Sequence, residues 1–147
     1  MNGLLIFLTI AGYIIGLGAV TVIDLHGFFG RTSAYWTEAT TRTHKITKPL
    51  IWIGTILALG AGLFWYHSVG FFDVAKLHAL VFTILIANGV FLSFSVSPFL
   101  LERERQGKQA ELLPSSWQKK ITASFLISFT GWWGSLVLFV ISITKII

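Results

Sequence analysis

The stretch LHALVFTILIANGVFLSFSVSPFLL, from Leu77 to Leu101, decides the fold of this chain. It contains no aspartate, glutamate, lysine or arginine, and it is longer than the roughly 20 apolar residues that cross a hydrocarbon core about 30 Å thick. A backbone in lipid must satisfy its hydrogen bonds internally. The stretch is therefore expected to be a transmembrane helix.

Three further windows of the chain lack charged residues: one precedes Asp24, one separates Lys48 from Asp73, and one separates Lys120 from Lys145. Of the 147 residues, 54% are hydrophobic and only 12% are charged, against roughly 25% charged residues in soluble domains. The sequence predicts an all-α fold, an integral membrane four-helix bundle that forms a single transmembrane domain over residues 1–147. The expected spans are 3–23, 49–66, 74–100 and 121–143.

Lysine and arginine are distributed unequally between the two ends of these spans. Those of the first and third loops are Arg31, Arg42, Lys45, Lys48, Arg103, Arg105, Lys108, Lys119 and Lys120, whereas the opposite side has Lys76 and Lys145. Because basic loops stay in the cytoplasm, both long loops are expected there, in contact with anionic lipid. Both termini are then on the outer side of a bacterial or archaeal cytoplasmic membrane. The basic balance reflects topology, and no nucleic-acid binding is expected.

The first span is not expected to be a cleaved signal peptide. No basic residue precedes it and no small-residue cleavage site follows it, so this span is expected to be retained in the mature protein. Proline is favoured at helix starts, so Pro49 is expected to open the second span and Pro114 to precede the fourth.

Small residues at helical spacing mark the faces on which helices pack in lipid. Such rows occur in the first, second and fourth spans: Gly12 and Gly16; Gly54, Ala58 and Gly62; Ser124, Ser128, Ser135 and Ser142. In the third span His78 shares a face with Gly89, so its side chain is expected to point into the bundle. Asn88 is expected to hydrogen-bond to a neighbouring helix. Trp132, near the middle of the fourth span, either lines a ligand site or fills space.

The outer ends of the second and third spans carry the first candidate site. It comprises His67, Asp73, Lys76 and His78, which a short turn places on antiparallel neighbours. Two imidazoles on facing helices can ligate haem, and His67, Asp73 and His78 can ligate a transition metal. The alternative is structural, with His67 at the interface and Lys76 paired to Asp73.

The stretch from Asp24 to Leu50 carries a second candidate site. Asp24, His26, Glu38 and His44 are residue types that bind zinc, iron or manganese. Their spacing does not place two imidazoles on one local surface. This stretch is therefore interpreted mainly as a connector, with a short interfacial helix over 33–44.

Several kinds of chemistry are excluded by what the chain lacks. There is no cysteine, which excludes disulfides, thiolate metal sites and iron–sulfur clusters. There is no glycine-rich phosphate loop, no serine nucleophile with a nearby base and no pair of carboxylates within a span.

The order of motifs resembles that of small four-helix membrane proteins related to copper-resistance protein D and to HemJ-type protoporphyrinogen oxidases. Thr47-Lys48-Pro49 opens the second span, Ala75-Lys76-Leu77 opens the third, and a basic loop leads into the fourth. The resemblance implies haem or porphyrin chemistry, with Lys76 matching the lysine of that family. Thr9 stands where the family has a histidine, so His78 or His67 would have to ligate a cofactor, with Trp132 as a possible wall.

Three functions follow as hypotheses. The first is a redox or cofactor-handling protein that binds haem, porphyrin or a metal ion through His78, His67 and Lys76. The second is a non-catalytic bundle that assembles as a homo-oligomer or within a larger membrane complex. The third is an oligomeric channel or carrier. Whether the protein is an enzyme stays open.

Overall fold

The computed structural model describes residues 2–145, which are helical except for short turns and one longer loop. The helices are α1 (Asn2–Phe29), α2 (Ala34–Val69), α3 (Asp73–Phe91), α4 (Ser97–Arg105) and α5 (Ser115–Thr144). A π-helical turn, Leu92–Val96, joins α3 to α4 and is called the π-turn below. These elements form four continuous helical segments, called crossings below: α1, α2, α3 with the π-turn and α4, and α5. Each is long and apolar enough to span a membrane. The expected all-α four-helix fold is confirmed.

Helices α1 and α2 form a closely packed antiparallel hairpin. A Cβ atom on Gly12 would collide with the backbone of Ala58, and one on Gly54 would collide with the backbone of Gly16. Only glycine allows two helix backbones to approach so closely. The small-residue rows of the first two spans are therefore the face on which these helices meet.

Helix α5 packs against both α1 and α3. The Asn88 side chain donates to the carbonyl oxygen of Ser124 at 3.2 Å, and the Ser124 hydroxyl donates to Asn88 Oδ1 at 2.7 Å. A Cβ on Gly131 would lie 2.7 Å from the side chain of Leu85. The expected hydrogen bond between Asn88 and a neighbouring helix is confirmed.

The stretch from Asp24 to Leu50 is almost entirely helical, and only residues 30–33 separate α1 from α2. Pro49 lies inside α2, so the prediction that it opens the second helix is wrong. The physical reason is the face formed by Thr37, Thr40, Thr41, His44 and Thr47, which is buried over three further turns. Burial of this face stabilises the helix N-terminal to Pro49 by more than the loss of the one backbone hydrogen bond that proline cannot make.

The two ends of the bundle differ in charge. The basic end is where α1 meets α2 and α4 leads into α5, and it carries the lysines and arginines of both connections. At the opposite end α2 turns into α3 at Gly70, whose φ of 97° is in the left-handed region. The Gly70 N–H donates to the carbonyl oxygen of Tyr66 at 2.9 Å, which closes the last turn of α2.

Candidate functional site

His78 lies inside the bundle, as the helix face that it shares with Gly89 predicted, and is only 4% exposed. Its Nε2 atom lies 2.7 Å from the Tyr13 hydroxyl and 2.7 Å from Ser135 Oγ. Its Nδ1 atom lies 2.8 Å from the Tyr66 hydroxyl. Side chains from all four crossings therefore meet at one imidazole.

The neighbouring hydroxyl groups determine the tautomer of this imidazole. The Ser142 hydroxyl donates to a backbone carbonyl of its own helix at 2.7 Å, so its oxygen accepts the Tyr66 O–H at 2.9 Å. Tyr66 then accepts a hydrogen bond from His78 Nδ1–H. Nε2 accepts from Tyr13 or Ser135, whose oxygens lie 2.6 Å apart. Both ring nitrogens are engaged, so neither has a free lone pair for haem iron or another metal.

The other members of the outer set do not join His78. His67 is exposed in the last turn of α2, and Lys76 donates to Asp73 at 3.0 Å in an exposed ion pair. Within residues 2–145, no three His, Asp or Glu side chains come together in a group that would hold a metal ion. The structure therefore does not assemble His67, Asp73 and His78 as a ligand set, because His78 is buried and His67 is not.

Trp132 fills space within the bundle. It is 3% exposed and makes an edge contact with Tyr13, with ring centroids 6.1 Å apart. A Cβ on Gly16 would lie 2.5 Å from its ring, so glycine makes room for the indole. Trp132 thus supports the tyrosine beside His78.

The candidates from the Asp24–Leu50 stretch separate in the structure. The His26 ring packs 5.1 Å from that of Trp36, and its Nδ1 atom is buried without a hydrogen-bond partner. Glu38 forms an ion pair with Arg42. Asp24 and His44, in contrast, line the same space between helices.

This space is a cavity of about 110 Å³ toward the basic end, between the α1–α2 hairpin and the third and fourth crossings. A single water needs about 10–15 Å³ of such volume, so several waters or a small organic group fit. Its charged or titratable wall groups are Asp24, His44 and Lys48. Its apolar walls are Ile23, Ile51, Trp52, Leu92, Val96, Leu100, Ile121 and Phe125.

His44 is held in one orientation at this wall. It is 8% exposed, and its Nδ1 atom lies 2.6 Å from the carbonyl oxygen of Thr41. A carbonyl only accepts, so Nδ1 carries the proton and Nε2 carries the lone pair. The same arrangement orients histidines that ligate metals.

The π-turn forms the wall opposite α1 and explains the position of Lys48. The Ser97 N–H donates to the carbonyl oxygen of Leu92, five residues earlier. In this register the carbonyl of Ser93 faces Pro98, which has no N–H to donate. Lys48 Nζ supplies the missing donor at 3.3 Å and also lies 3.5 Å from Ser97 Oγ. Such π-turns occur frequently at functional sites.

Asp24 lines the cavity and has one carboxyl oxygen without a hydrogen-bond donor. It is 9% exposed, and its Oδ2 atom is buried without a hydrogen-bond partner. It also lines an adjoining cavity of about 40 Å³ together with Asn88 and Ser128. Among the described residues Asp24 makes no ion pair, although Lys48 lines the same cavity.

From the sequence, Lys48 was used for membrane topology and for the Thr47-Lys48-Pro49 motif, and neither Lys48 nor Trp52 was placed in a candidate site. Their spacing could have predicted a shared site, because His44, Lys48 and Trp52 recur every four residues and so follow one face of α2. Trp52 Nε1 donates to Ser93 Oγ at 3.0 Å, which fixes the indole against the π-turn.

Comparison of the chain with protein-family models, with curated proteins and with solved structures gave no match. The resemblance to HemJ-type proteins therefore stays a hypothesis, and the geometry of the cavity is the basis for a functional assignment.

Proposed function

We propose that this protein binds a small, largely apolar organic molecule in the cavity at the basic end, in a cofactor- or substrate-handling role within the membrane. The observation that carries the proposal is the buried Asp24 oxygen that no donor satisfies at the cavity wall. A buried carboxyl oxygen without a hydrogen-bond donor costs free energy, and ionisable residues in membrane spans are typically functional.

The contrast with His78 supports this choice of site. Tyr13, Tyr66 and Ser135 satisfy His78 completely, and the network leaves no atom for a ligand. A satisfied polar network stabilises a core, whereas an unsatisfied group beside a cavity is positioned for a molecule that enters.

The test is to identify what the protein retains when it is purified from membranes in mild detergent. Extracts of the wild-type protein and of Gly89→Leu would be compared by mass spectrometry. Gly89 lines both cavities, and a Cβ there meets only the Trp52 ring, at 3.6 Å. A leucine would therefore occupy the cavity. Gly18→Leu is the matched control, because a Cβ there meets nothing within 4 Å.

We expect one class of compound to be present in the wild type and in Gly18→Leu and to be depleted in Gly89→Leu. Identical extracts from all three proteins would contradict the proposal. A visible absorption spectrum and a metal analysis of the same samples extend the test to haem and metals.

Haem or porphyrin does not fit this site. His44 Nε2 is oriented as a ligand atom, but a cavity of about 110 Å³ is too small for the macrocycle.

A further inference from the structure

The cavity presents a carboxyl group and an ammonium group that do not pair with each other. Asp24 on α1 has an oxygen without a donor, and Lys48 on α2 has only long contacts, at 3.3 Å to the Ser93 carbonyl and 3.5 Å to Ser97 Oγ. Hydrogen bonds from an ammonium group to an anion are normally about 2.7–2.9 Å long. Both groups therefore have capacity for a stronger partner.

The position of the cavity suggests where such a partner comes from. Asp24 lies five residues before the end of α1 at Phe29, which is about 7.5 Å along a helix. On α2, Lys45 lies one turn before Lys48 and forms an exposed ion pair with Glu104 at 2.7 Å. The charged wall groups are therefore close to the end of the membrane span, at the depth where lipid head groups meet acyl chains.

The rest of the cavity wall suits an apolar chain. Ile51, Trp52, Leu92 and Phe125 line it and are only partly buried, so the cavity is not sealed from the surface of the bundle. A molecule that enters from the membrane can keep its tail along these side chains while its head reaches Asp24 and Lys48.

We infer that the ligand is a zwitterionic amphiphile whose primary ammonium group donates to Asp24 and whose phosphate accepts from Lys48, as in a phosphoethanolamine lipid. This inference rests on the proposed function, because it requires the cavity to be a binding site. The carboxylate selects the ammonium group, and the lysine anchors the phosphate.

The experiment uses the full-length protein in detergent and three single-chain lipids of equal chain length. These carry a phosphoethanolamine, a phosphoglycerol or a phosphocholine head group, and native mass spectrometry measures their binding. Free phosphoethanolamine without a tail is the fourth probe, which distinguishes a membrane lipid from a soluble head group. The variants are Asp24→Asn, Lys48→Met and Gly89→Leu, with Lys45→Met as the control for loss of an exposed lysine.

We expect the phosphoethanolamine lipid to bind about tenfold more tightly than the phosphoglycerol lipid, as a charge-assisted hydrogen bond implies. The phosphocholine lipid lacks an N–H donor and should not share this advantage. Asp24→Asn should remove the preference, Lys48→Met should weaken all three lipids, and Lys45→Met should change neither result.

Equal binding of the three head groups, or a preference that survives in Asp24→Asn, would overturn the inference. Equal binding of the tailless probe would also overturn it, because the tail would then contribute nothing. If the wild-type protein retains a different compound and Gly89→Leu does not, the proposed function stands while the lipid assignment fails. If Gly89→Leu loses nothing, both fail.

Discussion

His78 connects side chains from all four crossings. As a buried group with both ring nitrogens hydrogen-bonded, it stabilises the bundle. Its partners are two tyrosines and a serine at 2.7–2.8 Å. Asp24 is the opposite case, because one oxygen of its buried side chain has no partner. The two residues therefore respond differently to substitution.

His78→Ala is expected to lower the free energy of unfolding by about 2 kcal/mol or more, because it leaves a cavity and removes partners of buried hydroxyl groups. Thermal unfolding in detergent is the measurement. His67→Ala, which removes an exposed imidazole from α2, is expected to be nearly silent. A His78→Ala protein as stable as His67→Ala would contradict the satisfied network.

Asp24→Asn is expected to raise the stability of the ligand-free protein by about 1 kcal/mol, because a buried carboxyl group with an unsatisfied oxygen is costlier than an amide of the same shape. The measurement is the unfolding midpoint of delipidated protein. Glu38→Gln, at a surface ion pair with Arg42, should have little effect. A lower midpoint for Asp24→Asn would show that this carboxylate has a stabilising partner.

Each pair of helices has its own means of contact. The α1–α2 hairpin depends on close backbone approach at Gly12, Gly16 and Gly54, whereas α3 and α5 are joined by paired hydrogen bonds between Asn88 and Ser124. The π-turn in the third crossing depends on a donor from another helix, Lys48.

Gly54→Ala and Gly60→Ala form a matched pair on α2. A Cβ on Gly54 would collide with the backbone of Gly16, whereas one on Gly60 meets nothing within 4 Å. Gly54→Ala should lower the unfolding midpoint, and Gly60→Ala should leave it unchanged or raise it, since alanine favours a helix by about 1 kcal/mol. Equal effects of the two substitutions would contradict the packing of this hairpin.

Lys48→Met is expected to loosen the π-turn, because the Ser93 carbonyl loses its donor while the apolar stem of the side chain is kept. Hydrogen–deuterium exchange should increase in the peptide that covers residues 92–101. Lys45→Met should leave this peptide unchanged, since Lys45 contacts Glu104 on α4 instead. Unchanged exchange in Lys48→Met would mean that the lysine is not needed by the turn.

The bundle as a whole separates its polar groups by depth, with a fully hydrogen-bonded network around His78 and a larger cavity near the basic end. The distribution of lysine and arginine predicts that the basic end faces the cytoplasm. If so, the cavity draws its ligand from the cytoplasmic leaflet or from the cytoplasm.

This topology is testable with single cysteines, because the natural chain has none. Thr32→Cys and Ala110→Cys are exposed at the basic end, and Phe71→Cys is exposed at the other. A membrane-impermeant thiol reagent applied to intact cells should label Phe71→Cys only. Labelling of Thr32→Cys and Ala110→Cys instead would reverse the orientation.

The sequence alone determined the number of crossings, the inward side chain of His78 and the glycine face of the α1–α2 hairpin. These features depend on local properties, namely uncharged windows, helical spacing and the need to satisfy the backbone within lipid. Only the tertiary structure decided which polar groups meet. Asp24, Lys48 and Ser93 belong to different crossings, and their rotation and register follow from packing at Gly12, Gly54 and Gly131. No pattern along the chain records that register, which is why a stretch interpreted as a connector supplies the walls of the candidate site.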